Sequence, residues 1–202
     1  MCNRITTIDT RIIFNLYYHK RIHINDMMIT LHDKSFEPYI KEVAIQNRIN
    51  AIAEQISDDY KGKTPVFISM LNGAFWFTAD LLKNYDGNCE VSFVKFKSYH
   101  GTESTGTVTQ SVGIDVDLSG RDIIILEDIV DTGKTLSVFL DELFKHTPAS
   151  VKIASLLLKP NALKYPIKVD YTGFEIPNDF IVGYGLDYDG LGRNYKDIYV
   201  VK

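Results

Sequence analysis

The stretch Ile123–Thr135, IIILEDIVDTGKT, joins a continuous apolar run to a polar, glycine-containing turn. Ile123, Ile124, Ile125 and Leu126 show no alternation, which predicts a strand buried on both faces. Such strands form parallel sheets covered by helices, and ligands of those sheets bind beyond the carboxyl ends of the strands. Here the run ends in two adjacent acids, Glu127 and Asp128, and then in the turn Asp131-Thr132-Gly133-Lys134-Thr135. Leu136, Phe139, Leu140, Leu143 and Phe144 follow at helical spacing and predict one apolar helix face.

Gly133-Lys134-Thr135 has the ending of a nucleoside-triphosphate cradle, but that motif needs a second glycine five positions before the first. Asp128 stands there instead. What remains suits one phosphate monoester. Backbone N–H groups of a glycine turn opening a helix converge on an anion, and the helix dipole favours it. Thr132 and Thr135 add hydroxyl donors, whereas Glu127 and Asp128 are suited to accepting bonds from sugar hydroxyls or holding Mg2+. A ribose 5-phosphate satisfies both halves, with its phosphate in the turn and its diol on the acids.

Outward from this stretch, strands and helices alternate. Glu37 to Tyr60 carries Ile45, Ile49, Ile52 and Ile56 at spacings of 4, 3 and 4, predicting an amphipathic helix. Pro65 to Leu71 predicts a strand, Ala74 to Leu82 a helix, and Val91 to Phe96 another strand. Ser98 to Gln110 predicts a long polar loop, and Val151 to Leu158 a further strand. Short strands are expected near Phe180 to Val182 and Ile198 to Val201. The fold class is α/β, a central mostly parallel sheet flanked by helices. With 202 residues, 45% hydrophobic and 24% charged, the chain can bury one full core and a small lobe. A formal net charge of −4 argues against nucleic acid or an anionic membrane as partner. Two cysteines, Cys2 and Cys89, exclude a disulfide framework. No apolar run approaches the ~20 residues of a bilayer span. A cytoplasmic location is expected. Residues 1–26 lack a clear period and are read as an N-terminal extension, either a dispensable one or an arm used in assembly, ahead of a single domain over 27–202.

ILEDIVDTGKT closely resembles the phosphoribosyl-diphosphate signature of the type I phosphoribosyltransferases. From about Ile29 onward the chain is similar to the hypoxanthine-guanine phosphoribosyltransferases, through LNGAFWFTADLL, KSYHGTESTG, LLLKP and GFEIPNDFIVGYGLDYDGLGRNYKDIYVV. The resemblance implies the type I phosphoribosyltransferase fold, with a small hood built from the C-terminal segment. It implies Mg-dependent transfer of ribose 5-phosphate from phosphoribosyl diphosphate to a 6-oxopurine, with release of pyrophosphate. Asp131 matches the acid/base facing the purine, and Asp131 to Thr135 the 5-phosphate turn. Glu127 and Asp128 match the ribose-binding acids, which also serve Mg2+. Asp187 matches the acid of a second Mg2+ and also belongs to the purine subsite with Lys159, Phe180 and Ile181. There Lys159 faces the 6-oxo group, Phe180 stacks on the ring, and Ile181 offers its backbone. Leu71, Asn72 and Gly73, with a cis peptide between the first two, and Arg193 match the pyrophosphate site. Asn72 stands where many relatives carry lysine, and Ala74 where they carry glycine. Ser98 and Tyr99 open a loop that in the family closes over the site. A homodimer or homotetramer is implied.

A second reading is a catalytically weak regulator that senses phosphoribosyl diphosphate on the same fold. Such a regulator would need a basic surface or an added DNA-binding unit, and the net charge of −4 opposes this. Adenine or orotate transfer disagrees with the KP and FIVGYGLDY segments.

Overall fold

The computed structural model describes residues 28–98, 108–114 and 116–202. The apolar run around Ile125 forms the middle of the larger sheet. Strand β6 (Asp122–Val130) lies between β3 (Val66–Leu71) and β7 (Ser150–Leu158). The full order is β5-β4-β3-β6-β7-β8, with β4 as Glu90–Ser98, β5 as Val108–Val112 and β8 as Tyr171–Glu175. Five of these strands run parallel and β5 is antiparallel on the edge. Helices cover both faces, as strands apolar on both sides require. Helix α1 (Glu42–Asp59) and helix α2 (Phe75–Asn84) pack on one face, where Ile45, Ile49, Ile52 and Ile56 join Phe77, Leu81, Ile124 and Leu126. Helix α3 (Lys134–Leu143) packs on the other, with Leu136, Phe139 and Leu143 against Ile123, Ile125 and Ile153. Among the described residues no helix is long and apolar enough to cross a membrane.

A second sheet forms the hood, antiparallel in the order β1-β2-β10-β9. Strands β9 (Ile181–Val182) and β10 (Ile198–Val201) come from the C-terminal segment as expected. Strands β1 (Ile29–Leu31) and β2 (Lys34–Ile40) come from the other end of the chain, so the C-terminal segment supplies only half of this sheet. The helix expected from Glu37 therefore starts at Glu42. Pro38 is the reason: it biases Glu37 toward extended backbone and cannot donate in a helix interior. As a strand residue Pro38 pairs with Tyr199 where the β2–β10 register shifts, a place that tolerates a missing donor.

Three further boundaries differ from the sequence reading. Strand β6 continues through Glu127 and Asp128 to Val130, because its ladder to β7 needs backbone groups and not apolar side chains. Val108 to Gln110 belongs to β5 and not to the loop. Phe144 lies beyond α3, in a short 3-10 turn, and is exposed rather than on the helix's core face. The extension 1–26 and Tyr99 lie outside the described residues. Ser98 is the last residue of β4, paired with Val108.

Candidate functional site

Every other candidate residue sits at a carboxyl end of a central strand or in the hood above it. The turn after β6 opens α3. Gly133, at φ 80°, is the residue before the helix, and a Cβ there would lie 2.8 Å from Ile167 Cγ1. Any side chain would meet both a left-handed backbone and that contact. Gly133 has no side chain to cap α3; Lys134 N–H donates to Thr132 Oγ1 at 3.4 Å, and N–H groups at the start of such a helix favour an anion. Lys164 and Tyr165 donate backbone bonds to the Thr132 carbonyl, so the segment after β7 braces the turn from outside. A cavity is lined by Glu127 and by residues 129–136, which gathers Asp131, Thr132, Gly133, Lys134 and Thr135 around one space.

The two acids diverge from their adjacency in sequence. Successive strand residues face opposite sides, and Glu127 borders the turn cavity while Asp128 turns toward the hood. A Cβ placed on Gly73 would come within 1.7 Å of Asp128 Oδ2, so this carboxylate packs directly on the Gly73 backbone. Burial pushes both carboxyls up. Glu127 rises well above the ordinary range, with the Asp128 charge adding to the effect. Asp128 rises to about 6, where backbone hydrogen bonds and the Arg193 charge oppose burial and Asp187 adds to it. Glu127 Oε2 is buried with no hydrogen-bond partner. A buried acceptor left unmatched beside a cavity has the chemistry of a ligand site.

Asp131 and Lys159 meet across the gap between β6 and β7, with Nζ 3.1 Å from Oδ2. The Lys159 side chain is 9% exposed and Asp131 50% exposed, so a sheltered cation holds an acid that faces outward. Phe180 precedes β9 and is 41% exposed, with edge contacts to Tyr188 at 5.4 Å and a tilted contact to Phe36 at 6.0 Å. It is a presented ring and not a core residue. The Phe180 carbonyl accepts from Val201 N–H on β10, so strand alternation turns the groups of Ile181 toward the open edge of β9. The Leu71-Asn72 peptide is cis, as the resemblance implied. Gly73 is buried, and Gly185 of the hood sits so close that its Cβ would be 2.1 Å from the Gly73 carbonyl oxygen. Arg193 donates to the Gly185 carbonyl at 2.6 Å and pairs with Asp187 Oδ1 at 2.6 Å. Asp187 Oδ2 also accepts from Gly190 N–H at 2.8 Å.

Sequence reading missed two contributors. One is the brace at residues 163–167, which carries no motif of its own. The other is Lys95, whose Nζ donates to Asn72 Oδ1 at 3.1 Å. Its signal was present: Val91, Phe93 and Lys95 alternate along one face of β4, which carries the lysine to the strand's carboxyl end.

A parallel sheet whose β6 carries Glu127 and Asp128 near its carboxyl end, ahead of a glycine turn opening a helix, has the form of an α/β domain that binds a phosphorylated ligand. Residues 40–189 match the phosphoribosyl transferase domain family. The hypoxanthine-guanine phosphoribosyltransferase of Lactococcus lactis is 42% identical over 172 residues, covering 84% of this chain and 93% of that protein. That of Bacillus subtilis is 43% identical over 165 residues, covering 81% and 91%. Among solved structures, a hypoxanthine-guanine phosphoribosyltransferase from Bacillus anthracis with HEPES in the active site superposes with a TM-score of 0.78 at 38% identity, covering 82% of this chain and 98% of that one. A hypoxanthine phosphoribosyltransferase from Staphylococcus aureus gives 0.79 at 36% identity, covering 90% and 95%. The chain belongs to the hypoxanthine-guanine phosphoribosyltransferase family.

Proposed function

We propose that the chain is a purine-salvage enzyme that moves ribose 5-phosphate from phosphoribosyl diphosphate to hypoxanthine or guanine, giving IMP or GMP and pyrophosphate. The observation that carries this is the cavity lined by Glu127 and residues 129–136, an anion cradle edged by a buried Glu127 oxygen with no hydrogen-bond partner. The 5-phosphate binds on the N–H groups of Thr132 to Thr135, and the Thr132 and Thr135 hydroxyls add donors. Glu127 and Asp128 accept from the ribose hydroxyls. The purine lies on Phe180, with the groups of Ile181 at its edge and the Lys159 ammonium donating to its 6-oxo oxygen. Adenine is refused because its 6-amino group is a donor that meets a donor.

In the reaction the purine nitrogen bonds to the anomeric carbon as the bond to pyrophosphate breaks, and the incoming purine gives up a proton. Asp131 takes that proton, because it is the exposed acid between the ribose acids and the phosphate turn. On purine binding Lys159 leaves Asp131 for the base, which frees a carboxylate oxygen for this role. Leu71, Asn72, Gly73 and Arg193 receive pyrophosphate. By the family resemblance, Ser98 and Tyr99 would serve to keep water from the carbocation-like centre during turnover.

Among the described residues no group of three or more His, Cys, Asp or Glu is arranged as a metal site. This donor set still fits Mg2+, which keeps its waters and uses one or two carboxylates together with substrate oxygens. Glu127 and Asp128 would hold it, and Asp187 would serve a second ion after parting from Arg193. The metal supplies charge neutralisation for the departing polyanion. A homodimer or homotetramer in the cytoplasm completes the proposal, supported by the family; light scattering on the purified protein checks the assembly.

The test is a spectrophotometric assay with phosphoribosyl diphosphate, Mg2+ and each of hypoxanthine, guanine, xanthine and adenine. Turnover of hypoxanthine or guanine with none of adenine is expected. Tight binding of phosphoribosyl diphosphate without turnover of any purine would overturn the proposal in favour of the sensor.

A further inference from the structure

Three successive residues of the hood, Gly183, Tyr184 and Gly185, have left-handed backbone, at φ 100°, 48° and 97°. Glycine adopts such angles freely and tyrosine does not. A tyrosine in the middle of this run persists only where its surroundings hold it. Its side chain supplies that hold. The Tyr184 ring is 1% exposed and reaches α2, with its centroid 5.4 Å from that of Trp76. The hydroxyl donates to Asp80 Oδ2 at 2.6 Å, and Gln46 of α1 donates to the same oxygen at 2.7 Å.

Both ends of this contact lead to the turn 71–73. Helix α2 starts at Phe75, so Trp76 and Asp80 are continuous through one helix with Gly73 just before it. On the hood side the residue after Tyr184 is Gly185. Its carbonyl accepts from the Arg193 guanidinium at 2.6 Å, and its N–H donates to the Arg193 carbonyl at 3.0 Å. A Cβ on Gly185 would lie 2.1 Å from the Gly73 carbonyl oxygen, so hood and turn meet backbone to backbone. Neither glycine has a side chain to steer that approach. Tyr184 is the adjacent side chain anchored on the helix that carries the turn.

We infer that Tyr184 is a positioning residue for the pyrophosphate site: through its bond to Asp80 it seats Gly185 on Gly73 and so sets where the Arg193 guanidinium stands relative to the 71–73 turn. The tyrosine acts through Gly185 and Arg193 and not on the ligand itself. The purine subsite is held by other means, because Phe180 is braced by Phe36 and Tyr188, and Lys159 follows β7 outside the hood. The inference rests on the transferase reading, since it takes pyrophosphate and phosphoribosyl diphosphate as the ligands of this turn and of Arg193.

The experiment titrates inorganic pyrophosphate and, separately, IMP by calorimetry into the wild-type protein, Tyr184→Phe, Asp80→Leu and the double variant, all with Mg2+. Phenylalanine keeps the ring against Trp76 and removes only the hydroxyl. Each single variant is expected to lower pyrophosphate affinity by about tenfold, within the range of coupling in one hydrogen-bond network, and the double variant to lower it no further. KM for phosphoribosyl diphosphate is expected to rise to match. IMP affinity and KM for hypoxanthine should stay within about twofold of wild type, as for sites that do not couple. Unchanged pyrophosphate affinity in Tyr184→Phe would overturn the inference. So would an equal loss for pyrophosphate and IMP, which marks a general loosening of the hood, and so would a double variant whose loss is the product of two independent ones. A wild-type protein that binds neither ligand overturns the transferase reading and the inference with it, a result distinct from wild-type binding that Tyr184→Phe leaves intact.

Discussion

At the scale of single residues, the site is governed by close approach. Gly73 has no room for a methyl group, because Asp128 Oδ2 occupies the position. Gly73→Ala must displace that carboxylate, and misplacement of a positioning group by about 1 Å costs on the order of 100-fold in rate. Steady-state kinetics on Gly73→Ala are therefore expected to show kcat/KM lowered by roughly that factor; activity within threefold of wild type would mean that Asp128 does not need its present place. Phe180 makes a separate case. Its ring is presented to solvent and braced edge-on by Tyr188. Phe180→Ala is expected to weaken IMP binding by about 1–3 kcal/mol, the range for base stacking on an aromatic ring. Thermal melting should barely change, whereas a core phenylalanine would lower the melting temperature strongly. Without the family resemblance, the sequence favours an ordinary strand core residue at Phe180. Its exposure came from the hood's register, which a single chain of letters does not reveal.

At the scale of elements, the hood is tied to the main sheet by polar bonds of long sequence separation. Tyr184 donates to Asp80 Oδ2 at 2.6 Å and Gln46 donates to the same oxygen at 2.7 Å, so one carboxylate links hood, α1 and α2. Burial pushes Asp80 up, but the bonds from Tyr184, Gln46 and Lys83 outweigh it and hold the carboxyl below its usual value. A carboxyl lowered in the folded state stabilises above its unfolded value and loses that contribution as pH falls through the folded one. Asp80→Ala leaves the buried Tyr184 hydroxyl without its acceptor, at a cost of about 1–3 kcal/mol. Melting temperatures should therefore fall at pH 7, with the gap to wild type shrinking below about pH 4; an equal gap at pH 7 and pH 3 would contradict the ionic account. Asp197 makes a second tie of long sequence separation. It accepts from Glu42 N–H at 2.7 Å and caps α1 from 155 residues away. The buried strands β3, β6 and β7 and all three helices were legible in the sequence, because their apolar patterns are continuous or periodic. Strands β1, β2 and β8 were not. β2 carries Pro38, β1 and β8 are short, and the partners of β2 lie at the far end of the chain.

At the scale of the molecule, the described candidate residues, spread from Leu71 to Arg193 in the chain, sit at carboxyl ends of central strands or in the hood, as a single proposed ligand site requires. Residues 1–26 precede both that frame and the family match, which begins at residue 40. Removing them is expected to leave the melting temperature and kcat/KM nearly unchanged; a large loss of either would assign the segment to assembly. The measurement that tests the central claim most directly is hypoxanthine turnover by the wild-type protein and by Asp131→Asn, with phosphoribosyl diphosphate affinity measured in both. Loss of the acid/base group is expected to lower kcat by roughly 10²–10⁴-fold while the affinity holds. An Asp131→Asn protein that turns over at the wild-type rate would contradict the account, and so would a wild-type protein that binds phosphoribosyl diphosphate yet forms no IMP.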